Sequence, residues 1–107
     1  MIIVNMMNNR FIQLLGLATK AGKTVSGEFQ VEQAIKSGSA CLVIIAADAS
    51  DNTKKHFHDM CTYRDIRIEY ACDKLILGRC TGKQERASIG ILDKGFADRL
   101  ISILREG

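Results

Sequence analysis

Apolar residues recur at three- and four-residue steps early in the chain, with Phe11, Leu14, Leu15 and Ala18 on one face, which predicts a helix from about Asn8 to Lys20. Gly22 ends it, and Thr24-Val25 is long enough only for an edge strand. A second helix fits Glu28 to Ser37, opened by Ser26-Gly27, closed by Gly38, with Val31, Ala34 and Ile35 facing inward. The pattern then changes. Cys41 to Ala47 is an unbroken apolar run with β-branched residues at its centre, as in a strand covered on both faces. Asp48 to Asn52 reads as loop and cap, and Thr53 to about Tyr63 as a helix burying Phe57, Met60 and Cys61. Ile66 to Tyr70 alternates strictly, as a half-exposed strand does. A short helix over Asp73 to Leu77 leads through Gly78 into a polar stretch ending near Arg86, followed by a strand from Ala87 to Leu92. The last helix is capped by Asp93 and presents Phe96, Ala97, Leu100, Ile101 and Leu104 to the core. Strand–helix–strand from Cys41 to Tyr70 implies a parallel pair. The whole alternation, α-β-α-β-α-β-α-β-α, predicts an α/β fold: a three-layer α/β/α sandwich with a four-stranded mixed sheet and helices on both faces.

The bulk numbers narrow the classes. With 107 residues, 47% of them apolar and 25% charged, the chain reads as one soluble domain over 1–107, and the methionine-rich residues 1–7 as a candidate disordered tail. No run reaches the roughly 20 apolar residues a membrane helix needs, and the short apolar start lacks a basic flank, so a cytoplasmic protein without a membrane partner is expected. Cys41, Cys61, Cys72 and Cys80 nowhere form a C-x-x-C pair, which argues against a closed zinc site and for reduced thiols, with Cys41 and Cys61 as buried fillers. The net charge of +3 permits nucleic-acid binding without demanding it.

Two stretches imitate chemistry. Gly16 to Thr24 resembles a phosphate-binding loop and Leu42 to Asp48 its strand-plus-Asp partner, but five residues separate Gly16 from Gly22 instead of four, and the preceding segment is helical rather than a strand. His56, His58, Asp59 and Cys61 crowd one helix, yet Phe57 between the histidines points to the core and no distant ligand completes a site. No nucleophile stands beside a recognisable base. The expectation is a non-enzyme with no metal and no cofactor.

One exposed feature does carry a signal. Opposite the core face of the second helix lie Phe29, Gln33 and Lys36, at i, i+4 and i+7, with Gln30 beside them. An aromatic at an exposed helix start, among amides and a lysine, fits a recognition surface, and equally fits a side chain packed under the first helix. The amides from Gly27 to Gln30 carry the positive end of the helix dipole, which suits phosphate, and the carboxamides of Gln30 and Gln33 suit base edges. A second candidate surface is Arg79-Cys80-Thr81-Gly82-Lys83-Gln84-Glu85-Arg86, with three basic groups against one acidic.

Several runs resemble a known family. Gly27-x-x-Gln30-x-x-Gln33-Ala34-Ile35-x-x-Gly38 followed by Leu42 to Ser50 resembles the ribosomal protein L7Ae/L30e family of kink-turn RNA binders, and Leu14 to Lys23, Asp51 to Lys55 and Asp93 to Ala97 resemble its bacterial YlxQ branch. The likeness runs from about Phe11 to Leu104 in register with the elements above. It implies binding of a duplex sharply bent at a three-nucleotide bulge beside sheared G·A pairs, by insertion of the second helix's start into the widened groove and closure of the loop before the last strand. Carried over by position, the RNA contacts are Gly27, Glu28, Phe29, Gln30 and Gln33, with Lys23 and Lys36 nearby, and Lys83, Gln84, Glu85 and Arg86 in the loop. Archaeal and eukaryotic members carry Asn, Glu and Lys where this chain has Phe29, Gln30 and Gln33. Gln30 keeps an acceptor without charge. Phe29 exchanges hydrogen bonds for stacking, worth ~1–3 kcal/mol where an unpaired base is available. Loss of the lysine lowers the salt slope of binding by about one unit. The expected partner is therefore ribosomal RNA or another kink-turn RNA, with the ribosome as a candidate assembly and the protein itself a monomer. The alternatives are a protein-interaction module of the same fold, as in those appended to RNA methyltransferases, and a small nucleotide-binding protein using Gly16 to Thr24.

Overall fold

The computed structural model describes residues 2–106, and of residues 2–8 the backbone alone. Nine elements follow the predicted alternation: α1 (Ile2–Lys20), β1 (Thr24–Ser26), α2 (Glu28–Ser37), β2 (Leu42–Ile45), α3 (Asp51–Arg64), β3 (Arg67–Tyr70), α4 (Lys74–Cys80), β4 (Ser88–Ile91) and α5 (Lys94–Glu106). The four strands form one mixed sheet in the order β1-β4-β2-β3. β2 and β3, joined through α3, run parallel, and β4 inserts antiparallel between β2 and β1. Helix α1 packs on α4 and α5 while α2 packs on α3, which gives the three-layer α/β/α sandwich.

Burial follows position in the sheet. The two central strands, β2 and β4, are buried at every residue, which is why Leu42 to Ile45 carries no polar side chain at all. Phe11 and Leu15 of α1, Val31 and Ile35 of α2, Phe57 of α3, Leu77 of α4 and Leu100 of α5 close over them. The edge strand β3 departs from strict alternation: Arg67 and Tyr70 are exposed, but Glu69 is partly covered and pairs with Arg67 at 2.8 Å and Arg105 at 3.7 Å.

Helix ends are set by local chemistry. The Gly22 amide donates to the Thr19 carbonyl and the Lys23 amide to the Ala18 carbonyl, a paired bond pattern that closes α1 through a left-handed residue. The Ser50 hydroxyl accepts from the Thr53 amide at 3.1 Å, so α3 begins at Asp51, two residues before the expected start. Asp93 accepts from the Phe96 amide at 2.9 Å and caps α5 as expected.

The structure changes four expectations. Helix α4 continues through Gly78 to Cys80 instead of stopping at Leu77. Cys41 is exposed, because it precedes β2 rather than belonging to it, and only Cys61 is fully buried. The inner face of α5 is Ala97, Leu100 and Ile103, with Phe96, Ile101 and Leu104 half-buried beside it. The backbone is helical from Ile2, where a disordered tail over 1–7 was one expectation; Met1 and the side chains there lie outside the described residues. Among the described residues no helix is long and apolar enough to cross a membrane.

Burial pushes the Cys61 thiol up to about 11, and burial with the nearby Cys80 and Asp73 does the same for Cys72. In the unfolded chain these thiols ionise from about pH 9, while in the fold they stay neutral to about pH 11. The unfolded state therefore sheds protons first, and stability held below pH 9 falls as pH rises through that window. Urea midpoints measured across it should drop, and the drop should be smaller in Cys61→Ala. An equal slope in the variant would exclude Cys61 as a cause.

Candidate functional site

The start of α2 is made by one residue. Gly27 leaves β1 at φ 91 and ψ 156, a conformation open to glycine and strained for any side chain. Its amide donates to the Ser88 carbonyl at 3.1 Å, continuing the β1–β4 ladder by one bond, and its carbonyl accepts from the Val31 amide at 3.0 Å. The Gly27 amide is thus already spent, contrary to the expectation that it faces a ligand. The amides of Glu28, Phe29 and Gln30 remain without acceptors among the described residues, and no side chain caps them. Because Val31, Ala34 and Ile35 are buried, the opposite stripe is forced outward: Phe29 is 68% exposed, and Gln30, Gln33 and Lys36 are exposed with it. Phe29 does not pack under α1.

The loop on the other side is shorter than its polar sequence implies. Gly82, at φ 69, ends α4 as Gly22 ends α1: its amide donates to the Arg79 carbonyl and the Lys83 amide to the Gly78 carbonyl at 2.8 Å. Arg79 and Cys80 are therefore helical, and the loop proper is Lys83 to Ala87. It folds back on its own helix. The Arg86 amide donates to the Lys74 carbonyl at 3.0 Å, and a Cβ added to Gly78 would stand 1.9 Å from the Gln84 carbonyl oxygen. Gly78 is a seat for the loop, which is why a glycine sits inside the helix.

Arg86 joins the two elements. Its Nε donates to the Ser26 hydroxyl at 3.3 Å and one Nη to the Glu85 carbonyl at 2.9 Å. Helix start and loop thereby form two walls of an open depression of about 470 Å³, lined by Ser26 to Gln30 and by Glu85 to Ala87. A second depression of about 490 Å³ adjoins it through Ser26, Gln30 and Arg86 and adds Lys83, Thr19, Thr24 and Thr81. Neither Lys83 nor Arg86 has a carboxylate partner among the described residues. Gln84 and Glu85 are exposed at the loop's tip. Of the other expected site residues, Gln33 is one turn beyond Gln30, Lys36 lies about 12 Å further down α2 than Glu28, and Lys23 is separated from Gly27 by the length of β1, about 13 Å. Ser26 and Thr19 were missed as contacts by the sequence reading, which had Thr81 only as part of the stretch from Arg79 to Arg86. Ser26 had a signal in its position just before the helix-opening glycine, whereas Thr19 joins only through the tertiary fold.

The imitating stretches resolve plainly. Gly16 lies inside α1, so Gly16 to Thr24 is a helix end and cannot wrap a phosphate. Cys61 is buried away from the exposed His58, which lies 3.6 Å from Asp59. His56 instead turns to Glu32 of α2 at 2.5 Å, fastening α2 to α3, and Glu28 stands near the pair, the three ligand atoms within 4.8 Å of one another.

A three-layer α/β/α domain that sets a glycine-opened helix start against the loop before its last core strand defines one class of protein, and comparison with known proteins identifies it. The chain belongs to the Ribosomal protein L7Ae/L30e/S12e/Gadd45 family, matched over residues 10–101. It is 43% identical over 91 residues to the RNA-binding protein YlxQ of Bacillus subtilis (strain 168), covering 85% of this chain and 91% of that protein. The Enterococcus faecium RNA-binding protein YlxQ is 34% identical, over 82% of this chain and 84% of that one. Among solved structures, a Bacillus halodurans C protein of unknown function superposes with a TM-score of 0.85 at 38% identity, covering 89% of this chain and 96% of that one. The Giardia lamblia 15.5kD RNA binding protein shares the fold, with a TM-score of 0.76 at 20% identity over 94% of this chain and 86% of its own.

Seating of the loop on Gly78 is testable. Gly78→Ala places a methyl into the Gln84 backbone and should cost about 1–3 kcal/mol in urea denaturation, as overpacking does. Because the loop must lift, trypsin should cut after Lys83 faster in the variant than in wild type under native conditions. Unchanged stability and cleavage would show that the loop does not depend on this seat.

Proposed function

We propose that this chain is a ribosomal-protein-like RNA-binding protein that recognises bent, structured RNA of the kink-turn kind with the start of α2 and the loop from Lys83 to Arg86. The observation that carries the reading is the latch: Arg86 bonded to Ser26 holds a helix start with three free amides beside two cations that have no acidic partner among the described residues. The names of the YlxQ relatives agree with it. Recognition divides by chemistry. Lys83, Arg86 and the Glu28–Gln30 amides take phosphate oxygens, which position the RNA without reading sequence. Gln30 and Gln33 offer both donor and acceptor to base edges in a groove widened by the bend. Phe29 presents an aromatic face to an unstacked base, at the point where related proteins are expected to use an amide. Lys23 and Lys36 stand at the margins and contact RNA that extends along β1 or α2. The protein acts by binding, as a monomer in the cytoplasm, without catalysis or cofactor. Ribosomal RNA is one candidate partner.

The reading is tested with a kink-turn hairpin and the same duplex lacking its bulge. Wild type should prefer the bulged RNA. Gln30→Ala should weaken that binding by roughly five- to tenfold, as loss of one hydrogen-bonding contact of about 1–1.5 kcal/mol does, with no change in melting temperature. Lys83→Ala should lower the salt slope of binding by about one unit. If both variants bind as wild type does, the assigned surface is wrong; equal affinity for both RNAs would remove the kink-turn preference.

A further inference from the structure

A third depression, of about 540 Å³, runs between α1 and α4, walled by Ile12, Ile76 and Cys80 and rimmed by Lys20 and Arg79. It is continuous with the face described above, since Thr19 and Thr81 line both it and the depression that holds Lys83 and Arg86. No carboxylate lines it, and among the described residues Lys20 and Arg79 have no acidic partner. A cationic rim over an apolar floor complements a polyanion whose bases are unstacked. A protein helix of acidic character would need carboxylates placed to meet both rim cations, whereas a nucleic-acid strand carries a phosphate at every step.

Gly16 supplies an independent observation. It stands in the interior of α1, where glycine is unfavourable, and it lines the groove. A Cβ there would meet nothing within 4 Å, so packing gives no reason for the missing side chain. This differs from Gly78, whose glycine is required by the loop lying on it. What Gly16 provides is an open floor. Burial holds the adjacent Cys80 thiol above its ordinary pKa, so this wall stays neutral and apolar.

We propose that the α1–α4 groove binds single-stranded RNA leaving the bent duplex, with a base over Gly16 between Ile12 and Ile76, the Arg79 guanidinium stacked on or beside it, and Lys20 on a phosphate. The inference rests on the RNA-binding reading and extends its footprint. From Ile12 to Lys20 the groove spans about 12 Å of helix, room for roughly two nucleotides.

The test compares a blunt kink-turn hairpin with the same hairpin bearing single-stranded extensions of about five nucleotides on either its 5′ or its 3′ end, near physiological salt. Wild type should bind one of the extended RNAs on the order of tenfold more tightly than the blunt one. Gly16→Leu fills the floor while improving helix propensity, so its melting temperature should be equal or higher and the gain from the extension lost. Lys20→Gln should also lose most of the gain, with affinity for the blunt hairpin within about threefold of wild type. Extensions that add nothing, or that add as much in both variants as in wild type, overturn the inference and leave the groove to a protein partner, while the blunt hairpin still reports on the primary surface. Failure of wild type to bind any of the three RNAs would instead overturn the RNA-binding reading, and this inference with it.

Discussion

The bond from the Gly27 amide to the Ser88 carbonyl is the constraint on which the rest of the surface depends. β4 is one of the two central strands, paired to β1 on one side and β2 on the other, and Ser88 is its first residue. The segment just before Ser88 is loop, and the one just after Gly27 is helix. One bond beyond the regular ladder therefore fixes the angle at which α2 leaves the sheet relative to the incoming loop. A substitution that disturbs φ at Gly27 would act on both elements at once, because the strand register on which they hang is shared.

That arrangement is rigid where it must be and open where it must be. Backbone bonds and the Gly78 seat hold the loop's carbonyls and amides, leaving the side chains of Lys83, Gln84 and Glu85 exposed. On α2 the apolar stripe locks Val31, Ala34 and Ile35 into the core and leaves Phe29 with Gln30 in water. Holding an aromatic ring in water gains the isolated fold nothing, since the same position in a short polar residue would avoid hydrating apolar surface. Its place on a preorganised wall makes the cost recoverable on binding, when the ring is covered without any further ordering of the backbone.

Much of this was legible in the sequence because the relevant forces are local. Periodicity gave the order of all nine elements, and the apolar run from Leu42 to Ile45 announced a central strand. The orientation of Phe29, Gln30, Gln33 and Lys36 followed from the placement of Val31 and Ile35, since helical geometry leaves no other face. The errors have a common origin in tertiary contact. Gly78 read as a stop because glycine usually ends a helix; only the Gln84 backbone pressed against it explains its place inside one. Cys41 read as core because it adjoins an apolar run, yet the ladder begins at the next residue. The Gly27 amide read as free because its acceptor, Ser88, lies sixty-one positions away, beyond the reach of any local pattern.

Charge shows the same division between sum and placement. A net charge of +3 says little about partners, but pairing separates the surface into regions. On α3, β3 and α5 several cations are matched, Lys55 to Asp59, Arg67 and Arg105 to Glu69, Lys94 to Asp98, and Arg10 of α1 to Glu106, while Lys54, Arg64 and Arg99 there face no carboxylate among the described residues. Around the helix start, the loop and the α1–α4 groove, Lys20, Arg79, Lys83 and Arg86 form no ion pair among the described residues, although Glu28 and Glu85 line the depression beside Arg86, and Glu32 on the flank of α2 is drawn to His56 on α3. A cation that already faces a carboxylate has little field left for a phosphate, and must break one contact to make another. An unmatched one keeps its field and its counterion, and the release of that counterion is the main sequence-independent source of affinity for a nucleic acid. A protein of small net charge can thus present a locally cationic face.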